Sequence, residues 1–235
     1  MIYFIGAGPG DPELITVKGK RIIEEADLII YAGSLVNPKL LECVKKECKI
    51  YNSANMTLEE VMEVMEGADM EGKVVARVHT GDPSLYGAIR EQMDILDEKN
   101  IDYEVVPGVS SFCAAASALK KEYTLPGVTQ TVILTRMEGR TPVPEKEKIE
   151  ELAQHNSTMV IFLSVHMIEE LVDRLNIKRD MSRNPLFDTV FALMNKDVQK
   201  IEIDNLTIQP LEFENSISKF DLSLYCFENE KGIVF

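Results

Sequence analysis

The chain has 235 residues, of which 45% are hydrophobic and 27% charged, and its formal net charge at pH 7 is −14. This composition predicts a globular protein with a sizeable core, in one large or two small domains. The excess of acid, with no basic segment, argues against a nucleic-acid partner. The longest apolar run, near residues 159–163, is far too short to span a bilayer, and no basic export segment opens the chain. We therefore expect a cytoplasmic protein that acts without nucleic acid or membrane.

The four cysteines and three histidines show no spacing that is typical of a metal site. No CxxC pair occurs, which suits a reducing compartment. The sequence therefore predicts no metal ligand among these residues.

Apolar runs and amphipathic segments alternate through the first half of the chain. The predicted strands are 2–5, 28–31, 49–51, 73–78 and 103–106, and the predicted helices are 16–25, 38–46, 58–66, 88–99 and 112–119. Thr57 and Glu60 predict a capping box for the helix that begins at Leu58. Such alternation favours a largely parallel sheet with helices on both faces.

A segment containing Pro126 and Gly127 reads as a linker, and a second series of elements follows it. The predicted strands there are 130–135 and 158–163, and the predicted helices are 145–154 and 167–175. We therefore predict two α/β domains, covering residues 1–122 and 123–235.

The first strand opens into a glycine-rich turn at residues 6–11. A dinucleotide fingerprint would need glycine at position 11, where Asp11 would repel a pyrophosphate. By itself the turn favours an ordinary tight strand-to-helix connection capped by Asp11 or Thr16. In a parallel sheet, however, ligands bind beyond the carboxyl ends of the strands. We therefore expect the loops 6–11, 79–86 and 107–111 to converge there.

Five segments in order resemble the tetrapyrrole methylases. They are GAGPGDPELITVKG at 6–19, YAGSLV at 31–36, HTGDPSLYGA at 79–88, VPGVSSF at 106–112 and EYTLPGVTQTVILTR with GRTPVP within 122–144. Within the family they are most similar to enzymes that methylate C11 of cobalt-precorrin-4 in cobalamin synthesis. Uroporphyrinogen methyltransferases of the same family carry an aspartate where this chain has Ala32.

The resemblance implies two α/β domains that hold S-adenosylmethionine in a cleft between them, and a homodimer. It also implies a set of cofactor contacts: Pro9, Thr80, Gly81, Asp82, Leu85, Ser110, Ser111 and Leu163. Asp82 would pair with the ammonium or the ribose hydroxyls of the cofactor. Taken singly, residues 81–83 would be an ordinary turn and the serine pair a helix cap.

The implied substrate is a polycarboxylate, so an acidic protein needs a local basic patch to bind it. Arg136 and Arg140 are the candidates for its carboxylates, and Tyr31 for the lining of the substrate site. Arg77, Arg90, Lys120 and Lys121 are weaker candidates, more typical of surface residues that favour solubility. His79 is more typical of a structural histidine.

The family pattern stops near residue 175. Residues 169–235 resemble a stretch of the condensation domains of nonribosomal peptide synthetases, without their HHxxxDG signature, and strands are predicted at 190–194, 201–206 and 222–227. The second domain therefore carries a non-family tail from about residue 176. Two alternatives stay open: a methylase of another precorrin carbon, and a non-catalytic fusion protein with an impaired cleft.

Overall fold

The computed structural model describes residues 1–139 and 141–175, together with five strands farther along the chain at 189–194, 201–203, 206–208, 222–229 and 232–234. The chain divides into two compact units, Met1–Lys121 and Glu122–Phe235. Each unit is described by itself. Among the described residues, no helix has both the length and the apolar character needed to cross a membrane.

The first unit is a five-stranded parallel sheet with helices on both faces. Its strands are β1 (Ile2–Gly6), β2 (Leu28–Tyr31), β3 (Lys49–Asn52), β4 (Val75–His79) and β5 (Tyr103–Val106), in the order β3-β2-β4-β1-β5. Its helices are α1 (Val17–Glu25), α2 (Leu58–Met70), α3 (Arg90–Glu98) and α4 (Ser111–Ala118). This confirms the predicted α/β fold with a parallel sheet.

Two apolar clusters cover the two faces of the sheet, because successive strand residues point to opposite sides. Ile2 and Phe4 of β1 belong to one cluster, which packs against α2 and α3. Ile5 belongs to the other, which includes Ile22 and Ile23 of α1. All five side chains are at most 3% exposed. Burial on both faces explains why these strands read as nearly continuous apolar runs.

The caps predicted at Thr57, Asp11 and Thr16 are confirmed. Thr57 and Glu60 form the capping box of α2. Asp11 accepts a hydrogen bond from the backbone of Glu13, while Thr16 caps α1 by accepting one from the N–H of Gly19. Asp11 and Thr16, given above as alternative caps, therefore both act as caps: Asp11 for the 3₁₀ helix Pro12–Leu14 and Thr16 for α1.

The predicted helix at 38–46 is wrong. A short 3₁₀ helix, Pro38–Leu41, occupies this segment, and Leu40 is its one fully buried side chain. Leu41 and Val44 pack only partly against the core. With so little apolar surface to bury, a longer helix gains too little from packing to form.

The second unit contains β6 (Val132–Arg136) and β7 (Thr158–Phe162), which pair in parallel, and the short helices α5 (Ile149–Ala153) and α6 (Ile168–Arg174). Met137, Ile149 and Leu171 form its described core. The predicted helix at 145–154 is interrupted, because a 3₁₀ turn at Glu145–Glu147 precedes α5.

Five further strands follow: β8 (Thr189–Met194), β9 (Ile201–Ile203), β10 (Leu206–Ile208), β11 (Leu222–Asn229) and β12 (Gly232–Val234). β11 pairs in parallel with β8 and antiparallel with β12, and β9 pairs antiparallel with β10. The β character predicted for this region is confirmed. The single strand expected at 201–206 is instead two paired strands.

Candidate functional site

Three loops leave the same edge of the first sheet because β4, β1 and β5 are neighbours in it. Gly8 and Gly81 join the first two loops through a pair of backbone hydrogen bonds, with N···O distances of 3.3 and 2.8 Å. The N–H of Ala7 donates to the carbonyl oxygen of His79 at 2.7 Å. The predicted convergence of the loops is therefore confirmed.

The three loops meet through glycine backbones. A Cβ atom placed on Gly6 would lie 2.6 Å from both the Cα of Gly108 and the carbonyl oxygen of Gly81. A Cβ on Gly108 would lie 2.1 Å from the same carbonyl oxygen. Real side chains do not approach backbone atoms this closely, so only glycine fits at positions 6 and 108. At this point the three backbones therefore pack directly against one another, with no room for a Cβ atom at position 6 or 108.

Asp82 ties the second loop to the third. Its Oδ2 accepts a hydrogen bond from the N–H of Gly108 at 2.9 Å, and its Oδ1 accepts from the N–H of Ser84 at 2.8 Å and from the Ser84 hydroxyl. Burial alone would raise the pKa of Asp82, but the hydrogen bonds from Ser84 and Gly108 outweigh it and hold the pKa below its usual value. The carboxylate is therefore charged at neutral pH and is engaged by the protein itself.

The remaining predicted cofactor residues of the first unit lie on these same loops. Pro9 is half-buried between two glycines with positive φ, and Thr80 is exposed next to buried Gly81. Leu85 is half-buried, Ser110 is only 6% exposed, and Ser111 is the exposed first residue of α4. Ser110 occupies the N-cap position, yet its side chain makes no capping bond. Its hydroxyl therefore has a different environment from an ordinary cap.

Tyr31 ends β2 at this edge of the sheet and is half-buried. Its carbonyl oxygen accepts a hydrogen bond from the Ser53 hydroxyl at 3.1 Å, and its side chain packs partly against the core. β4 separates it from β1. The structure thus brings Tyr31 to the same edge as the glycine loops, one strand beyond them.

Two predicted residues lie at one edge of the second unit. Arg136 ends β6 and is paired in register with Phe162, the last residue of β7, which Leu163 follows. Leu163 has a φ of 56° and is 64% exposed, an unusual conformation for a large apolar side chain. A guanidinium N–H of Arg136 donates to the carbonyl oxygen of Thr141 at 3.3 Å. Arg140, the second predicted arginine, lies outside the described residues.

The sequence did not lead us to expect a cluster of buried polar side chains next to the second loop, formed by Arg77, His79 and Gln92. Arg77, predicted to be a surface residue, is 7% exposed, and burial lowers its pKa to about 10. His79 and Gln92 are each 4% exposed. A signal for this was present, since Arg77 lies inside an apolar run in which both faces of a parallel strand are expected to be buried. The interpretation of His79 as structural agrees with its burial.

The environment of His79 favours the neutral imidazole. Burial, and then the charge of Arg77, lower the pKa of His79 to about 3, although a hydrogen bond with the backbone of Gly87 acts in the opposite direction. Its buried Nε2 has no hydrogen-bond partner among the residues that the structure describes. His79 is therefore uncharged at neutral pH.

We expect His79 to make the folded protein sensitive to acid. An unfolded histidine binds a proton near pH 6.5, whereas the folded one does so only near pH 3. Between these values the unfolded state holds the extra proton, so stability falls as the pH falls, by up to about 1.4 kcal/mol per pH unit. Urea unfolding at pH 7 and pH 5 should show a smaller loss for His79→Gln than for the wild type. The same substitution at exposed His155 is the control, and an equal loss in all three proteins would contradict the assignment.

Comparison with known proteins gives a consistent result. A family model described as tetrapyrrole (corrin/porphyrin) methylases matches residues 1–206, which extends past the boundary predicted near residue 176. The cobalt-precorrin-4 C(11)-methyltransferase of Methanocaldococcus jannaschii is 64% identical over 174 residues, 74% of this chain and 67% of that protein. The chain thus spans about two thirds of the length of this curated relative.

Solved structures agree with the sequence match. The X-ray structure of a cobalamin biosynthetic enzyme, a cobalt precorrin-4 methyltransferase, superimposes with a TM-score of 0.73 at 50% identity, over 74% of this chain and 73% of that one. A uroporphyrin-III C-methyl transferase from Thermus thermophilus, complexed with S-adenosylhomocysteine, superimposes with a TM-score of 0.58 at 26% identity, over 77% of this chain and 74% of that one.

Proposed function

This chain belongs to the tetrapyrrole (corrin/porphyrin) methylase family, and from that membership we propose that it transfers a methyl group from S-adenosylmethionine to C11 of cobalt-precorrin-4 in cobalamin biosynthesis. The observation that carries the proposal is the 64% identity to a C11-methyltransferase over 74% of the chain. The YAGSLV segment supports the choice of carbon, because Ala32 stands where uroporphyrinogen methyltransferases carry an aspartate.

The local structure fits a bound S-adenosylmethionine. Gly6, Gly81 and Gly108 bring bare backbone to the carboxyl edge of the sheet, where a Cβ at position 6 or 108 would clash. Backbone N–H and carbonyl groups at such an edge can bind the polar parts of a nucleoside and an amino acid. When bound, the cofactor supplies an electrophilic methyl group on a positively charged sulfur.

Such a transfer would form one carbon–carbon bond at the ring carbon and break the carbon–sulfur bond of the sulfonium. The cofactor would leave as a neutral thioether, and the positive charge that arrives with the methyl group would leave the macrocycle as a proton released to solvent. The protein's contribution is to hold the methyl group in line with the ring carbon and to exclude water. We assign Pro9, Thr80, Gly81, Leu85, Ser110 and Ser111 as cofactor contacts, and we retain Leu163 as a contact that the family resemblance implies. Asp82, whose oxygens bind Gly108 and Ser84, holds these loops in place.

Substrate binding is assigned to Tyr31, Arg136 and Arg140. Guanidinium groups bind carboxylates in a bidentate manner, which suits a substrate that carries many of them. With a net charge of −14, the protein as a whole repels such a substrate, so recognition has to be local. We further propose a homodimer, which the family resemblance implies, and a cytoplasmic location, which the cysteine usage and the apolar runs of the sequence predict. Light scattering of the purified protein measures the oligomeric state.

The decisive experiment incubates the purified chain with cobalt-precorrin-4 and S-adenosylmethionine labelled with ¹³C in the methyl group. We expect a product heavier by one methyl group, with the label at C11 in the carbon NMR spectrum. A label on any other ring carbon would identify a different precorrin methylase. Binding of S-adenosylhomocysteine without turnover would instead favour a non-catalytic protein.

A further inference from the structure

The loop between β4 and α3, residues 80–89, has an unfavourable backbone conformation. Tyr86 and Ala88 have φ values of 56° and 51°, which are disfavoured for residues with a Cβ atom. A Cβ on Gly87 would lie 2.2 Å from the carbonyl oxygen of Pro83, so the loop folds back closely on itself. Such a conformation persists only where surrounding groups hold it.

Gln92, in the first turns of α3, supplies such a contact. Its Nε2 donates to the carbonyl oxygen of Ala88 at 3.0 Å, and its Oε1 accepts from the Nε of Arg77 at 3.1 Å. The side chain is 4% exposed. A buried amide can donate at one atom and accept at the other, which neither a carboxylate nor an ammonium group can do.

Arg77 connects this contact to the sheet. It lies on β4, paired in register with Ile30 of β2, and its guanidinium donates to the carbonyl oxygen of Ile30 at 3.3 Å. The hydrogen bonds therefore run without a break from β2 through Arg77 and Gln92 to Ala88. His79 of the same strand binds the backbone of Gly87 next to it.

We propose that Gln92 is a positioning residue that holds the loop 80–89 in the shape required to bind S-adenosylmethionine. The proposal rests on the proposed function, because Thr80, Gly81 and Leu85 are assigned there as cofactor contacts. Gln92 is buried, and both of its described hydrogen bonds are to protein groups. It acts through the backbone of Ala88, at the end of the loop opposite to Asp82, so the loop is held at both ends.

The test is the variant Gln92→Glu. A carboxylate keeps the acceptor for Arg77 and adds an opposite charge beside it, but it has no N–H for the Ala88 carbonyl. We expect the variant to unfold thermally close to the wild type, while the Kd of S-adenosylhomocysteine, measured by isothermal titration, rises about tenfold or more. Hydrogen exchange at the amides of residues 84–89 should become faster, with the amides of β1 and β4 unchanged.

The control is Glu91→Gln, the reverse exchange of carboxylate and amide at the exposed neighbouring position, which should change neither measurement. If the wild type fails to bind S-adenosylhomocysteine, the proposed function fails, and the exchange rates still judge the role of Gln92. Exchange in Gln92→Glu equal to that in Glu91→Gln overturns the proposal in either case. Faster exchange with unchanged affinity also overturns it, because the loop would then be held without consequence for the cofactor.

Discussion

Replacing Gly108 with alanine should abolish measurable binding of S-adenosylhomocysteine and lower the free energy of unfolding by about 1–3 kcal/mol or more. The added Cβ would lie 2.1 Å from the carbonyl oxygen of Gly81 and 2.7 Å from the Cα of Gly6. Both neighbours are backbone atoms, so no side-chain rotation can relieve the clash and the three loops have to separate. Isothermal titration measures the effect on binding, and urea denaturation measures the effect on the free energy of unfolding.

Gly67→Ala is the matched control for this substitution. Gly67 lies within α2, and a Cβ placed there meets no atom within 4 Å. Alanine is favoured over glycine inside a helix by up to about 1 kcal/mol, so this variant should be as stable as the wild type or more so, with unchanged affinity. If Gly108→Ala bound S-adenosylhomocysteine as tightly as Gly67→Ala, the glycine contact would have no role in the site.

The variant Asp82→Ala should weaken the binding of S-adenosylhomocysteine by about tenfold to a hundredfold without unfolding the chain. Hydrogen bonds to a charged group contribute about 1.5–3 kcal/mol. Without them, cofactor binding has to order the loops itself, so a free energy of this size is lost from binding, which corresponds to that range of affinity. Removing the carboxylate frees the N–H of Gly108 and the backbone of Ser84, and with them the link between the second and third loops. Titration calorimetry, together with circular dichroism as a check of folding, tests this.

Asp11→Ala is the control for Asp82→Ala. It removes an aspartate that makes a similar local turn but no described bond to another loop. Asp11 accepts a hydrogen bond from the N–H of Glu13 at 2.9 Å, the same local turn that Asp82 makes with Ser84, and no bond to another loop is described for it. We expect Asp11→Ala to bind S-adenosylhomocysteine about as tightly as the wild type does. Equal weakening in both variants would mean that the bond from Gly108 is not the reason for the effect.

The pattern of residues predicted the sheet well because strands buried on both faces leave a simple signature. Parallel order also implied that loops after neighbouring strands would meet, as Gly8 and Gly81 do. The hydrogen bond from the N–H of Gly108 to Asp82 could not be predicted from the sequence, since 26 residues separate the two groups and only the fold brings them together. Arg77 was misjudged because a charged residue was taken as exposed, although its position within an apolar strand indicated burial.

The helix predicted at 38–46 shows the opposite limit. Its apolar residues have helical spacing, but only Leu40 finds a fully buried position, so local preference was overruled by what the core accepts. The assignment of Arg140 to substrate binding rests on the sequence alone, because this residue lies outside the described residues. The assignments of Tyr31 and Arg136 stay predictions that substitution can test.

The contact among Gly6, Gly81 and Gly108 bears on how specificity in this family could be re-engineered. Each loop limits the room available to the other two, so a loop transplanted alone from a relative would arrive with a backbone path fitted to different neighbours. The exchangeable module is the set of three loops with their glycines. Chimeras that carry the whole set should fold and bind more often than single-loop exchanges, even though they alter more residues.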